Sequence, residues 1–174
     1  MQDRLMVALD VDDREKAMLM RDRVGDSVGW LKVGLRLFVA EGPELVRELN
    51  RTHKLFLDLK FHDIPNTVAQ AIESAGGLGV DMVNVHAGGG EEMLAAAANA
   101  AKAFPNMKLI AVTVLTSDPM PKAQAREVAL QRAKMALDAG LDGVVCSVHE
   151  AQAIKDLCGE DFITVTPGIR WGGQ

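Results

Sequence analysis

Short apolar runs recur along this chain, and a stretch of helical character separates each from the next. The runs lie at 5–9, 30–33, 55–60, 82–86, 109–115, 143–147 and 162–166. Several are almost continuously apolar, as expected of parallel strands covered on both faces. The intervening stretches carry helix punctuation. Asp12 is placed to cap a helix over 13–24, with Glu15 as its capping-box partner and Gly25 as its stop. Pro43 opens a helix that runs to Leu49, because proline suits a first helical position. Asn66 or Thr67 can cap a helix reaching Ser74, and further helices are expected over 91–103, 125–139 and 150–157. Strand–helix alternation of this kind requires a parallel sheet, either open and doubly wound or closed into a (β/α)8 barrel of the TIM type.

The polar residues separate these two architectures. Asp10, Lys32, Asp58, Lys60, His86, Thr116, Ser147 and Thr166 fall at the C-terminal ends of successive strands. A barrel gathers all those ends around one mouth. An open sheet binds its ligands at a switch point, often with a glycine fingerprint after the first strand. Here that strand continues as Ala8-Leu9-Asp10-Val11-Asp12, without the fingerprint. The barrel is the expected fold. Its seven strands, one short of eight, make the 174 residues read as a single partial barrel domain over 1–174, with the eighth strand and helix missing.

One segment carries most of the chemistry. It reads Asp58-Leu59-Lys60-Phe61-His62-Asp63-Ile64-Pro65-Asn66-Thr67 and follows the apolar run Lys54-Leu55-Phe56-Leu57. Residues two apart on a strand share a face, so Asp58 and Lys60 point the same way. Asp63 follows in the turn, and Pro65 bars the strand from continuing. Charges of mixed sign at a strand end are costly to bury unless they pair. Such a cluster either closes a barrel end structurally or forms a functional site.

These motifs bring the chain close to a known family. It resembles the bacterial orotidine 5′-monophosphate decarboxylases through Ala8-Leu9-Asp10, Leu31-Lys32-Val33-Gly34, the segment 58–67, Val85-His86-Ala87, Leu115-Thr116-Ser117 and Thr166-Pro167-Gly168-Ile169-Arg170. The resemblance implies conversion of orotidine 5′-monophosphate to uridine 5′-monophosphate in pyrimidine biosynthesis. It implies that Asp58, Lys60 and Asp63 match an Asp-x-Lys-x-x-Asp signature, completed by Lys32 into an alternating Lys-Asp-Lys-Asp array. Lys60 would be the proton donor to carbon 6. Asp10 and Lys32 would contact the ribose, Thr116 the pyrimidine, and Arg170 the nucleotide near its phosphate. Asp63, Ile64 and Thr67 would reach into the partner's site in a homodimer. No metal and no organic cofactor are implied. In the family, a phosphate-gripping Gln and a later Gly-Arg pair follow strand seven. Gln174 comes too soon after Arg170 to be that Gln, which predicts a weakened hold on phosphate in this chain.

Three other functions compete. Metal-dependent sugar-phosphate decarboxylases of the same suprafamily share the signature but use magnesium, held by an acidic ligand where this chain has Lys32. A Schiff-base aldolase would need a neutral lysine, whereas carboxylates beside an amine favour its charged form. An inactive barrel fragment with open strand edges is the third. The net charge of −5 and the absence of a Lys/Arg run argue against nucleic-acid binding. Neither a signal peptide nor an apolar span is apparent, so a cytoplasmic protein away from membranes is expected. Cys146 and Cys158 read as unpaired, with Cys146 a small core residue. The same core or interface packing is expected of Met18, Met20, Met93 and Met135. His62 is expected to orient its loop, Ala87-Gly88-Gly89-Gly90 to be a turn, and Lys102 and Lys108 to be solvated.

Overall fold

A computed structural model describes residues 2–115 and 119–169. Seven strands alternate with six α-helices: β1 Met6–Ala8, α1 Arg14–Val24, β2 Trp30–Gly34, α2 Leu35–Leu49, β3 Lys54–Phe61, α3 Pro65–Gly77, β4 Met82–His86, α4 Glu91–Ala101, β5 Lys108–Val112, α5 Lys122–Asp138, β6 Gly143–Val145, α6 Val148–Cys158 and β7 Ile163–Val165. All seven strands join one parallel sheet in the order β1-β2-β3-β4-β5-β6-β7. That order never reverses, so the sheet has no switch point of the doubly wound kind. It is the order of a TIM-type barrel, present here as seven strands with every C-terminal end on one side.

The core lies between the sheet and its helices. Leu31, Leu55, Leu57, Val83, Val85, Leu109 and Val144 supply the strand side, and Leu45, Leu49, Ile72 and Leu94 the helix side, all essentially without solvent exposure. A second cluster of Phe56, Met82 and Ile110 fills the opposite face of the sheet. Met93 and Cys146 are core residues, and Met18, Met20 and Met135 pack against that core, as expected. Burial raises the Cys146 thiol pKa to about 11, which leaves it an inert packing group.

Several helix starts differ from the sequence expectation. Asp13, not Asp12, caps α1, its carboxylate accepting the Lys16 backbone N–H at 2.8 Å. Asp12 instead pairs with Lys16 and Arg36. Neither Asn66 nor Thr67 caps α3; Ile64 holds the cap position and Pro65 opens the helix, so the first turn relies on proline's fixed φ. The helix expected from Pro43 is the second half of α2, which begins at Leu35 and bends at Gly42 (φ 68°, ψ −163°). Ser147 caps α6 with a full capping box to Glu150, so the helix begins at Val148, two residues before the expected start. Lys108 begins β5 with its side chain 45% exposed, in keeping with the expected solvated lysine, and it also pairs with Asp142 at 3.2 Å.

One local device occurs twice at the N-terminal rim. Gly79-Val80-Asp81 precedes β4 and Gly140-Leu141-Asp142 precedes β6. Both glycines have positive φ, 81° and 89°, and turn the chain out of α3 and α5. Val80 and Leu141 are buried. Each aspartate then closes a two-bond ring with the neighbouring strand. Asp81 N donates to the Leu55 carbonyl while its carboxylate accepts Leu55 N–H at 2.9 Å. Asp142 makes the same exchange with Leu109, at 2.8 Å for each bond. Leu55 and Leu109 are fully buried, so an orphaned N–H there would lack water. Asp81→Ala and Asp142→Ala should each lower unfolding free energy by roughly 1–3 kcal/mol, measured by urea denaturation. The exposed Asp161→Ala should leave it nearly unchanged.

Candidate active site

The C-terminal strand ends surround a cleft of about 460 Å3, lined in part by Asp10, Lys32, Asp58, Lys60, His62 and His86. A polar hollow of about 440 Å3 lies at the opposite, N-terminal rim and holds none of these residues. The mouth is the candidate site because the charged side chains converge there.

Asp58 is its centre. It follows the buried run Leu55-Phe56-Leu57 on β3, and 11% of its side chain is exposed. Lys60 Nζ donates to Asp58 Oδ1 at 2.7 Å, and Lys32 Nζ, from β2, lies 3.1 Å from Oδ2. Asp10, two residues past β1, is 3.8 Å from Lys32 Nζ and largely exposed. An alternating run Asp10–Lys32–Asp58–Lys60 therefore crosses three neighbouring strands. Lys60 is the outermost member of this run on β3, 41% exposed beside 20% for Lys32.

The end of β3 departs from a regular strand. Leu57 pairs with Val83 and Phe61 with Val85, so Asp58, Leu59 and Lys60 all oppose the single residue Asn84. Lys60 lies in this bulge at φ 51°, the only non-glycine with positive φ among the described residues. Asn84 is fully buried, accepts Lys60 N–H at 2.8 Å and donates to Asp58 Oδ1 at 2.7 Å. Asn84 is a member of this cluster that no sequence motif marks. Its one visible signal is a carboxamide in the otherwise apolar run Met82-Val83-Asn84-Val85.

The remaining expected residues are placed as follows. Asp63 does not join the cluster within the chain; its carboxylate accepts the Ile64 N–H at 2.7 Å. Ile64 is 65% exposed, and Thr67 is exposed in the first turn of α3. His62 stacks on His86 with ring centroids 5.3 Å apart and planes 13° from parallel, joining the loop after β3 to the end of β4. His86 Nδ1 accepts Gly88 N–H, which shapes the turn Ala87–Gly89. Thr116 and Arg170 lie outside the described residues. Among the described residues, no group of three or more His, Cys, Asp or Glu side chains is arranged to hold a metal ion. In the same residues no helix is long and apolar enough to cross a membrane.

Fold and site together define a parallel β/α barrel-type protein with a Lys–Asp–Lys cluster at the C-terminal ends of its strands. Comparison with known proteins narrows the class. The model of the orotidine 5′-phosphate decarboxylase / HUMPS family matches residues 3–174. The orotidine 5′-phosphate decarboxylase of Legionella pneumophila (strain Paris) is 51% identical over 180 residues, spanning 98% of this chain and 79% of that protein. The crystal structure of the Lactobacillus acidophilus orotidine 5′-phosphate decarboxylase superposes with a TM-score of 0.88 at 38% identity, over 97% of this chain and 82% of that one. The Methanocaldococcus jannaschii orotidine 5′-monophosphate decarboxylase, complexed with the inhibitor BMP, gives 0.85 at 29% identity, over 99% and 81%. This chain belongs to the orotidine 5′-phosphate decarboxylase / HUMPS family.

Burial pushes the Asp58 carboxyl pKa up. The Lys60 hydrogen bond, the nearby Lys32 charge and the Asn84 amide outweigh it and leave the group below its ordinary 3.8. A carboxylate whose pKa is lowered by folding adds stability above its unfolded value of about 3.9, and that stability fades as pH falls through the folded value. The stability gap between wild type and Asp58→Asn should therefore be widest near neutrality and shrink below about pH 4. Chemical melts at a series of pH values test this. A gap that stays constant down to pH 2.5 would mean that Asp58 is not held as an ion.

Proposed function

We propose that the chain is a carboxy-lyase that converts orotidine 5′-monophosphate to uridine 5′-monophosphate in pyrimidine biosynthesis, working as a homodimer. The observation that carries this reading is the Asp58 carboxylate held between two lysines, with Lys60 facing an open cleft. Its relatives named as orotidine 5′-phosphate decarboxylases support the substrate.

The residue types suit the reaction. Breaking the bond from carbon 6 of the pyrimidine to the carboxylate releases carbon dioxide and leaves an electron pair on carbon 6. The ring offers that pair no resonance sink. An ammonium placed beside carbon 6 stabilises the developing charge and then transfers a proton to it. Lys60 is assigned that role, since its Nζ already stands where it can bind a carboxylate oxygen. Asp58 would face the departing carboxylate and disfavour it by like-charge repulsion, an effect of the ground-state kind. Lys32 fixes Asp58 from the other side and, with Asp10, would meet the ribose hydroxyls. Thr116 is assigned to the pyrimidine and Arg170 to the phosphate end of the nucleotide. The magnesium-dependent sugar-phosphate alternative is disfavoured at Lys32, because an ammonium 3.1 Å from Asp58 repels a divalent ion there.

The fourth charge of the array is assigned to a second copy. Within one chain Asp63 turns to its own backbone, while Ile64 and Thr67 stand exposed beside it. In a two-fold dimer, Asp63 and Thr67 would enter the partner's site and complete its Lys-Asp-Lys-Asp array.

Lys60→Ala should abolish decarboxylation while uridine 5′-monophosphate still binds in a calorimetric titration. Turnover retained within about tenfold, ~1.4 kcal/mol of barrier, would sink the assignment. Subunit mixing tests the dimer. Inactive Lys60→Ala and Asp63→Ala chains should regain partial activity together, because one hybrid site then has both residues. If heterodimers form without any recovery, Asp63 serves its own chain's site.

A further inference from the structure

We propose that Asn84 is a positioning residue for the Asp58–Lys60 pair: one buried amide holds the carboxylate of Asp58 and the backbone of Lys60 together, and so sets where the Lys60 ammonium stands in the cleft. The decarboxylase reading enters only in naming the reaction whose rate should respond.

The geometry leaves that amide little choice. Three residues of β3 oppose one residue of β4, so the bulge removes Lys60 N–H from the regular ladder. The Asn84 side-chain carbonyl takes that N–H at 2.8 Å. Lys60 can then hold φ 51°, a conformation that costs an ordinary L-residue about 1–2 kcal/mol. The other end of the amide donates to Asp58 Oδ1 at 2.7 Å, the oxygen that also accepts from Lys60 Nζ. Turning the amide over would set its oxygen against a carboxylate oxygen and its NH2 against an N–H. Only a group with an acceptor at one end and a donor at the other fits.

Burial sharpens the requirement. Asn84 and Thr113 are the two fully buried polar residues among those described. Thr113 donates to the Val145 carbonyl and serves the sheet. Asn84 instead points to the charged mouth. A leucine of similar size would leave Lys60 N–H without a partner in a dry place. An aspartate would put a second carboxylate 2.7 Å from the first, and two such groups cannot both ionise freely. The charged groups facing Asp58 are Lys60 on its own strand and Lys32 on β2, with Asp10 behind Lys32; His62 and His86 line the same cleft.

The test uses the whole chain with Asn84→Asp and Asn84→Leu. Asn84→Asp keeps the acceptor for Lys60 N–H, so it preserves the bulge and alters only the face toward Asp58. Circular dichroism and thermal melts check folding. Both variants should lose at least about tenfold in kcat for orotidine 5′-monophosphate with KM changed little, the split expected when a transition-state contact is disturbed. The acid limb of the kcat–pH profile should move to higher pH, most for Asn84→Asp. The 13C carboxyl resonance of Asp58, assigned by its loss in Asp58→Asn, should titrate higher in both variants than in wild type. That readout needs no activity. A wild-type chain that fails to decarboxylate would refute the functional reading, and the Asp58 titration alone would then decide the Asn84 role. An unmoved Asp58 titration in folded Asn84→Asp overturns the inference, whether or not kcat falls.

Discussion

The carboxylate of Asp58 has given up most of its water, and a charge in that position survives only if neighbours restore what solvent supplied. Lys60, Lys32 and Asn84 do so from β3, β2 and β4. Each of these strands must therefore end at the same height on the same side of the sheet. The parallel, unreversed strand order satisfies this without further adjustment, because it delivers every C-terminal end to one mouth. The rest of the architecture can be understood as holding those three ends in register.

Register is secured far from the site. At the opposite rim, Asp81 and Asp142 close two-bond rings with Leu55 and Leu109, locking β4 to β3 and β6 to β5. The apolar layers of the strands then fix which side chains face which surface. With the rim locked, the irregularity at Lys60 is confined to the functional end. A strained backbone residue persists where its surroundings over-determine it, and Asn84 together with the flanking ladder supplies that constraint. The stacked His62 and His86 rings join the following loop to the end of β4.

The division of exposure within the cluster has a chemical consequence. Asp58 is nearly enclosed, while Lys60 is open to the cleft. A ligand entering the mouth meets an ammonium backed by a fixed anion, an arrangement suited to recognising a carboxylate and then passing a proton to the carbon it leaves. Asp63, with Ile64 and Thr67, is displayed outward on a loop and the first helical turn. Under the proposed dimer, these are the residues that would meet the second copy.

Much of this was legible in the linear sequence. Apolar runs without alternation announced strands buried on both faces, and six of the seven begin and end within two residues of expectation, while β5 stops three residues sooner. Residue spacing alone put Asp58 and Lys60 on one mouth, and the motif order pointed to the family. Helix starts were less readable: Asp12 and Asp13 are adjacent potential caps, and only backbone geometry chooses between them. Lys108 is solvated as expected, but its pairing with Asp142 could not be read from the chain because the two lie 34 residues apart. The alternation, the barrel-type strand order and the identity of the charged residues are legible along the chain because they follow from local periodicity and residue chemistry. Which charges touch, that Asp63 stands apart from them, and that Asn84 sits at their centre emerge only on folding. Those facts depend on how β2, β3 and β4 are aligned and on a bulge of three residues against one, and neither is encoded in the spacing along any single strand.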